Sequence, residues 1–89
     1  MSEIFDVLEN SQSIEILIAL SKEERLFLSE LLQKLNTKDT NTVNRRIIML
    51  RDAGLLKEEG EDKFGGRRYL WLTKKGQKVA ALLTEIGKL

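Results

Sequence analysis

The chain has 89 residues, 42% hydrophobic and 33% charged, a globular composition that fits one domain with a small core. It contains neither cysteine nor histidine, which excludes disulfides and thiolate metal sites and removes the commonest metal ligand and general base together. Net charge is only +1, but residues 1–36 hold three basic against seven acidic groups (net −4), and residues 37–78 hold eleven against six (net +5). This split favours an anionic partner for the middle of the chain.

No apolar run approaches the roughly 20 residues needed to span a bilayer. The N-terminal MSEIFDVLEN is acidic and polar, unlike a secretory signal. The expected compartment is therefore the cytoplasm. A chain this short buries a modest fraction of its surface, so dimerisation is a natural source of further stability.

Residues 4–9, IFDVLE, read as a short helical turn. Ser11 or Ser13 is expected to cap the next helix, about 13–21. There Ile14, Leu17 and Ile18 form one stripe while Ile16 and Leu20 fall on the other side, the pattern of a helix buried on more than one face. Ile4, Phe5 and Leu8 supply further contact. Lys22, Glu23 and Glu24 make a solvated turn, and residues 25–28, RLFL, suit a short edge strand. Ser29 is expected to cap a helix with Leu31, Leu32 and Leu35 inward, and Asn36-Thr37-Lys38 has the length of a helix–helix turn.

From Asp39 to Gly54 the sequence predicts a helix with a start, a buried seam and a stop. Asp39 or Thr40 caps the first free amides, and Gly54 takes the left-handed conformation that ends a helix. Val43, Ile47 and Leu50 share the inward face. At about 100° per residue, Asn41, Arg45 and Ile48 fall opposite, with Thr42 and Met49 beside them. Asn and Arg suit bidentate bonds to base edges, and Thr reaches phosphates or a thymine methyl.

After Gly54 the period changes to two. Residues 55–59, LLKEE, and 67–72, RRYLWL, read as strands joined by GEDKFGG. Leu70 and Leu72 point to the core, with Tyr69 and Trp71 on the other face, covering the sheet or a subunit interface. Lys63, Arg67 and Arg68 lie near the hairpin tip. Thr73 caps a last helix whose apolar stripe, Val79, Leu82, Leu83, Ile86 and Leu89, either folds back on the core or pairs with a second chain. Glu23/Glu24 and Glu58/Glu59 are sequence neighbours, whose side chains do not face each other, so they form no acid/base pair. No phosphate-cradling glycine motif and no nucleophile–base arrangement is present.

Four segments, IFDVLENSQSIEILIAL, LSELLQKL, NTVNRRIIMLRDAGLL and GGRRYLWLTKKG, make the chain resemble the small winged helix-turn-helix transcription regulators of the ArsR and MarR type. The run R-x-x-x-L-x-x-A-G-L-L from Arg46 to Leu56, followed by R-Y-L-W-L-T-x-x-G from Arg68 to Gly76, carries most of the likeness. The resemblance implies an α+β, mainly α, winged helix-turn-helix: a three-helix core, a two-stranded wing hairpin and a C-terminal helix in one domain, residues 1–89. It implies sequence-specific binding of double-stranded DNA as a homodimeric transcription regulator. The recognition helix, about 40–53, would enter the major groove. The wing, about 60–68, would lie on the backbone or minor groove.

By the same resemblance Thr40, Asn41, Thr42, Asn44 and Arg45 take the recognition positions, and Lys63, Arg67 and Arg68 the wing positions; Lys38 is also expected to contact DNA. Residues 74–89 form the dimerisation helix, with Ile4, Phe5, Leu8, Val79, Leu82, Leu83, Ile86 and Leu89 at the interface. Two recognition helices would then lie about 34 Å apart. The chain departs from the metal-sensing branch, which uses cysteine or histidine ligands, so neither metal nor cofactor is expected. Ile48 stands where the family often carries lysine, and Glu58, Glu59, Glu61 and Asp62 add negative charge to the wing. The competing expectation is a winged-helix protein–protein interaction module in a larger assembly. An enzyme is disfavoured because the usual catalytic residues are missing.

Overall fold

The computed structural model describes residues 3–60 and 68–89. In chain order the elements are α1 (Glu3–Leu8), α2 (Ser13–Ser21), β1 (Leu26–Phe27), α3 (Leu28–Leu35), α4 (Thr40–Asp52), β2 (Leu56–Gly60), β3 (Arg68–Leu72) and α5 (Lys74–Gly87). The three strands form one antiparallel sheet in the order β1-β3-β2. The two-stranded wing is thus extended by the short edge strand over RLFL, and Leu26 and Phe27 pair with Leu70 and Tyr69.

The core lies between α2, α3, α4 and the inner face of the sheet. Leu31, Val43, Ile47, Leu50, Leu55 and Leu70 are all fully buried. In α2 the buried side chains are Ile16, Leu17 and Leu20, while Ile14 and Ile18 are half-buried. The helix is therefore embedded on one broad side and partly covered on the other, because α5 packs along it as well as α3.

Two helix caps differ from the expectation, while α2 spans the expected residues. α2 is capped by neither Ser11 nor Ser13: Gln12 takes a left-handed φ of 70° without a side-chain cap, and Ser13 is buried in the first turn. The backbone at Ser11 has another task, since its carbonyl accepts a hydrogen bond from Arg46 Nε at 2.9 Å. α3 begins at Leu28, one residue before Ser29, and its first turn closes when the Phe27 amide donates to Glu30 Oε1 at 2.9 Å.

The two helices of the helix-turn-helix end in the same way. After α3, Asn36 adopts φ 54°, and the Asn36 and Thr37 amides donate to the Gln33 and Leu32 carbonyls. After α4, Gly54 adopts φ 79°, and the Gly54 and Leu55 amides donate to Arg51 and Leu50. Both are Schellman closures, in which a left-handed residue turns the chain back and satisfies two terminal carbonyls. The first sets the angle between α3 and α4. The second delivers the chain into β2.

The A-G-L-L and L-T-x-x-G runs meet at this second closure. Thr73 Oγ1 donates to the Gly54 carbonyl at 2.7 Å and accepts from the Gly76 amide at 3.0 Å. The Thr73 amide donates to the Leu55 carbonyl at 3.1 Å, and Lys75 Nζ reaches the Ala53 carbonyl at 3.1 Å. Gly76 packs so closely that a Cβ there would stand 1.8 Å from the Leu55 carbonyl oxygen. Only glycine lets the first turn of α5 seat on the end of α4.

Candidate nucleic-acid interface

The site is built on α4. Its start is fixed by Asp39, whose Oδ1 accepts from the Thr42 amide at 3.0 Å and whose Oδ2 accepts from the Thr42 hydroxyl at 2.6 Å. These bonds, the hydroxyl first, hold the Asp39 carboxyl below its ordinary value, and the nearby Arg45 charge adds to the effect. The Thr42 hydroxyl has thereby spent its proton on the cap. Toward a ligand it presents its methyl group and oxygen lone pairs, not a donor.

Val43, Ile47 and Leu50 are completely buried, so the orientation of the rest of α4 is settled. Asn41, Arg45 and Ile48 form the outward ridge and are exposed. Lys38 and Thr40, at the entrance to the helix, are exposed too. Asn44 and Thr42 are half-buried, on opposite flanks of this ridge.

Each flank is tied to a different part of the molecule. On one side, Arg46 donates from Nε to the Ser11 carbonyl and lies 3.7 Å from the Met49 sulfur, joining α4 to the loop between α1 and α2. On the other side, Arg68 at the start of β3 donates from Nη1 to Asn44 Oδ1 at 2.6 Å and from Nη2 to Glu58 Oε1 at 2.8 Å. The second carboxylate oxygen of Glu58 faces Arg51 at 3.6 Å, an ion pair longer than a hydrogen bond. Glu58 therefore sits between two guanidinium groups, and its negative charge is balanced within the protein.

The wing side chains divide accordingly. Arg68 is held inside this network, with its side chain about one-third exposed. Lys63 and Arg67 lie outside the described residues, as do Glu61 and Asp62. Tyr69 and Trp71 are half-buried on the face of the sheet opposite Leu70 and Leu72, as their alternation predicts. The Tyr69 ring lies 4.5 Å from that of Phe27, and the Arg25 guanidinium stacks 4.3 Å above it. Neither the Arg25 stack nor the Arg46 and Arg68 tethers is visible in the sequence. Each joins residues brought together only by the fold, and no local spacing marks them.

On the far side, α5 turns Gly76 and Ala80 inward, and Val79 and Leu83 are half-buried against the core. Leu82, Ile86 and Leu89 are 52, 63 and 103% exposed, and Phe5 of α1 is 62% exposed. Ile4 and Leu8 are half-buried. The apolar stripe thus splits between the core and the surface.

Among the described residues, no group of three or more acidic side chains is placed to hold a metal ion, and no helix is long and apolar enough to cross a membrane.

No family model matches the chain, and no curated protein matches it in sequence. Solved structures do match. A candidate transcriptional regulator of the MarR family from Porphyromonas gingivalis superposes with a TM-score of 0.84 at 19% identity, over 93% of this chain and 80% of that one. The reduced transcriptional regulator YodB from B. subtilis gives 0.80 at 15% identity, over 96 and 82%. A transcriptional regulator homologue from Pyrococcus horikoshii gives 0.74 at 20% identity, over 99 and 92%. The chain therefore has the mainly helical winged-helix fold of these regulators.

Proposed function

We propose that the protein binds double-stranded DNA sequence-specifically, as a homodimeric transcription regulator. α4 enters the major groove, and the wing, about 60–68, lies on the backbone or minor groove. The observation that carries this reading is the outward ridge of α4. It presents Asn41 and Arg45 as exposed side chains on a helix whose two flanks are braced by Arg46 and Arg68. A braced helix holds base-reading groups in one register, and Asn and Arg are the side chains suited to bidentate base contacts. Lys38 and Thr40 suit phosphates at the helix start, and Lys63 and Arg67 serve the same purpose on the wing. Transcription regulators of the same fold support the assignment. Without a histidine or cysteine in the chain, binding suits it better than catalysis.

The second copy docks on α5. Leu82, Ile86 and Leu89 leave an apolar ridge without cover in a single chain, and Phe5 adds to the exposed apolar surface. Residues 74–89 thereby act as the dimerisation helix, with Ile4, Leu8, Val79 and Leu83 lining its margin.

A docking module in a larger assembly is the second reading, and one observation favours it: Ile48, on the same ridge as Asn41 and Arg45, is 43% exposed. Selection of duplexes from a random pool, with the oligomeric state measured alongside, separates the two. A regulator enriches a near-palindromic site and runs as a dimer. The Asn41→Ala, Arg45→Ala double variant then loses that site while remaining folded. Failure to enrich any duplex, or unchanged affinity in the double variant, contradicts the assignment.

A further inference from the structure

We infer that Ile48 reads the C5-methyl group of a thymine beside the base that Arg45 reads. The inference rests on the DNA-binding reading above and specifies one contact within it. Around the axis of α4, at about 100° per residue, Asn41, Ile48 and Arg45 fall within about 60° of one another. Side chains on a helix lean toward its N-terminus, so Ile48 covers the turn that carries Asn44 and Arg45. A groove floor that meets Asn41 and Arg45 therefore meets Ile48 as well.

What this side chain can do there is narrow. Ile48 is 43% exposed and has no polar atom to offer a phosphate or a base edge. The thymine methyl is the one methyl group that the four bases present in the major groove. Packing it against Ile48 removes apolar surface of both partners from water. Against the other bases the isoleucine would cover donors and acceptors and leave them unpaired. The β-branch gives Ile48 one strongly preferred rotamer in a helix, so the probe is in place before binding and little side-chain freedom is lost.

The surroundings favour a base over a protein partner. Ile48 stands alone among polar groups on the outer side of α4: Asn41, Arg45 and Asp52 are exposed around it, and Met49 is half-buried with its sulfur 3.7 Å from Arg46 Nη1. One isoleucine is far smaller than the apolar patches that seat proteins. The larger exposed apolar surface, Leu82, Ile86 and Leu89, belongs to α5. One turn beyond Ile48 comes the exposed Asp52, ion-paired with Arg51 at 3.5 Å. Its carboxylate keeps a polyanion off the end of the helix, so Ile48 is the last reader on the ridge. Helix propensity at this exposed position favours Lys, Glu or Gln, so stability does not account for an isoleucine. The side chain that speaks for a docking module thus finds its partner in the groove.

The test uses the full chain and the duplex it selects from a random pool. Each thymine of the site is replaced in turn, in both half-sites, by deoxyuridine, which lacks only the methyl group. One position should weaken binding about fourfold for each methyl removed, hence about fifteenfold for the pair. It should lie within about two base pairs of the position whose preference Arg45→Ala relaxes. Ile48→Ala should bind the thymine and deoxyuridine duplexes alike at that position alone, and Ile48→Val, the milder change, should lose part of the difference. The deoxyuridine series on the unaltered protein does not depend on the folding of any Ile48 variant. No sensitive thymine beside the Arg45 position, or a folded Ile48→Ala as sensitive as the wild type, overturns the inference while leaving DNA binding intact. A wild-type protein that enriches no duplex removes the functional reading itself, and the inference falls with it.

Discussion

α4 and α5 are helices of similar length with opposite assignments of their apolar residues. In α4 every inward position is a large aliphatic, fully buried, and the outward ridge is polar except for Ile48. In α5 the innermost positions are Gly76 and Ala80, and three large aliphatics, Leu82, Ile86 and Leu89, stand in solvent. Small residues inward allow α5 to lie close against α2 and the end of α4, where large ones would hold it off. α4 buries its whole apolar face within one chain, except for Ile48, and α5 leaves part of its own exposed. One helix is finished as a monomer, and the other has an apolar ridge in reserve.

The sharpest way to break this comparison is at the glycine that seats α5. Gly76→Ala places a Cβ against the Leu55 carbonyl, so α5 must lift from the closure that ends α4. The expected loss is at least about 3 kcal/mol, read by chemical denaturation. A variant as stable as the wild type would mean that the close approach does not constrain the fold.

The next contrast sets Arg68 against Arg45. Arg68→Ala removes two charge-assisted hydrogen bonds and should cost about 1–3 kcal/mol of folding stability. Arg45→Ala should leave the denaturation midpoint nearly unchanged and weaken duplex binding by about 1–3 kcal/mol. Equal stability losses for both would show that the exposed ridge is part of the structural frame.

A third variant addresses the reserve. Leu82→Glu combined with Ile86→Glu should shift sedimentation from dimer to monomer, with monomer stability changed by no more than about 0.5 kcal/mol. A large loss of stability with unchanged oligomeric state would place these side chains in the core of a single chain. The smallest expected effect is at the cap of α4. Asp39 is held ionised below the ordinary carboxylate value of 3.8, so its contribution is present above that pH and fades as acidity protonates it in the folded state. Asp39→Asn should lower the thermal midpoint slightly at neutral pH, and the difference from wild type should vanish under strong acid.

How much of this was legible from sequence differs between the same two helices. Val43, Ile47 and Leu50 fix α4 because their spacing allows one burial arc, and Asp39 and Gly54 mark its ends by local chemistry. The stripe on α5 spans about 120°, an ordinary width for one face, but it is centred away from the Gly76–Ala80 side, and periodicity cannot say which part a monomer covers. The inner face is carried by Gly76 and Ala80, which have little or no side chain to announce it. The caps of α2 and α3 differ from the expectation because Ser11, Ser13 and Ser29 are good caps by type, although α2 itself spans the expected residues. Burial of Ser13, the Arg46 tether at Ser11 and the reach of Glu30 to the Phe27 amide decided otherwise. The candidate site was legible as a ridge, Asn41 and Arg45. It was not legible as a network, because Asn44, Glu58 and Arg68 meet across three elements.

The most direct measurement is the salt dependence of duplex affinity for the wild type and for Arg45→Ala. About six phosphate contacts per dimer, from Lys38, Lys63 and Arg67 of each subunit, predict a log–log slope near −5, and loss of the base-reading Arg45 should weaken binding of the selected site by about 1–3 kcal/mol with little change of slope. A flat slope, or an affinity that Arg45→Ala leaves untouched, would contradict the claim that the outward ridge of α4 faces a polyanion.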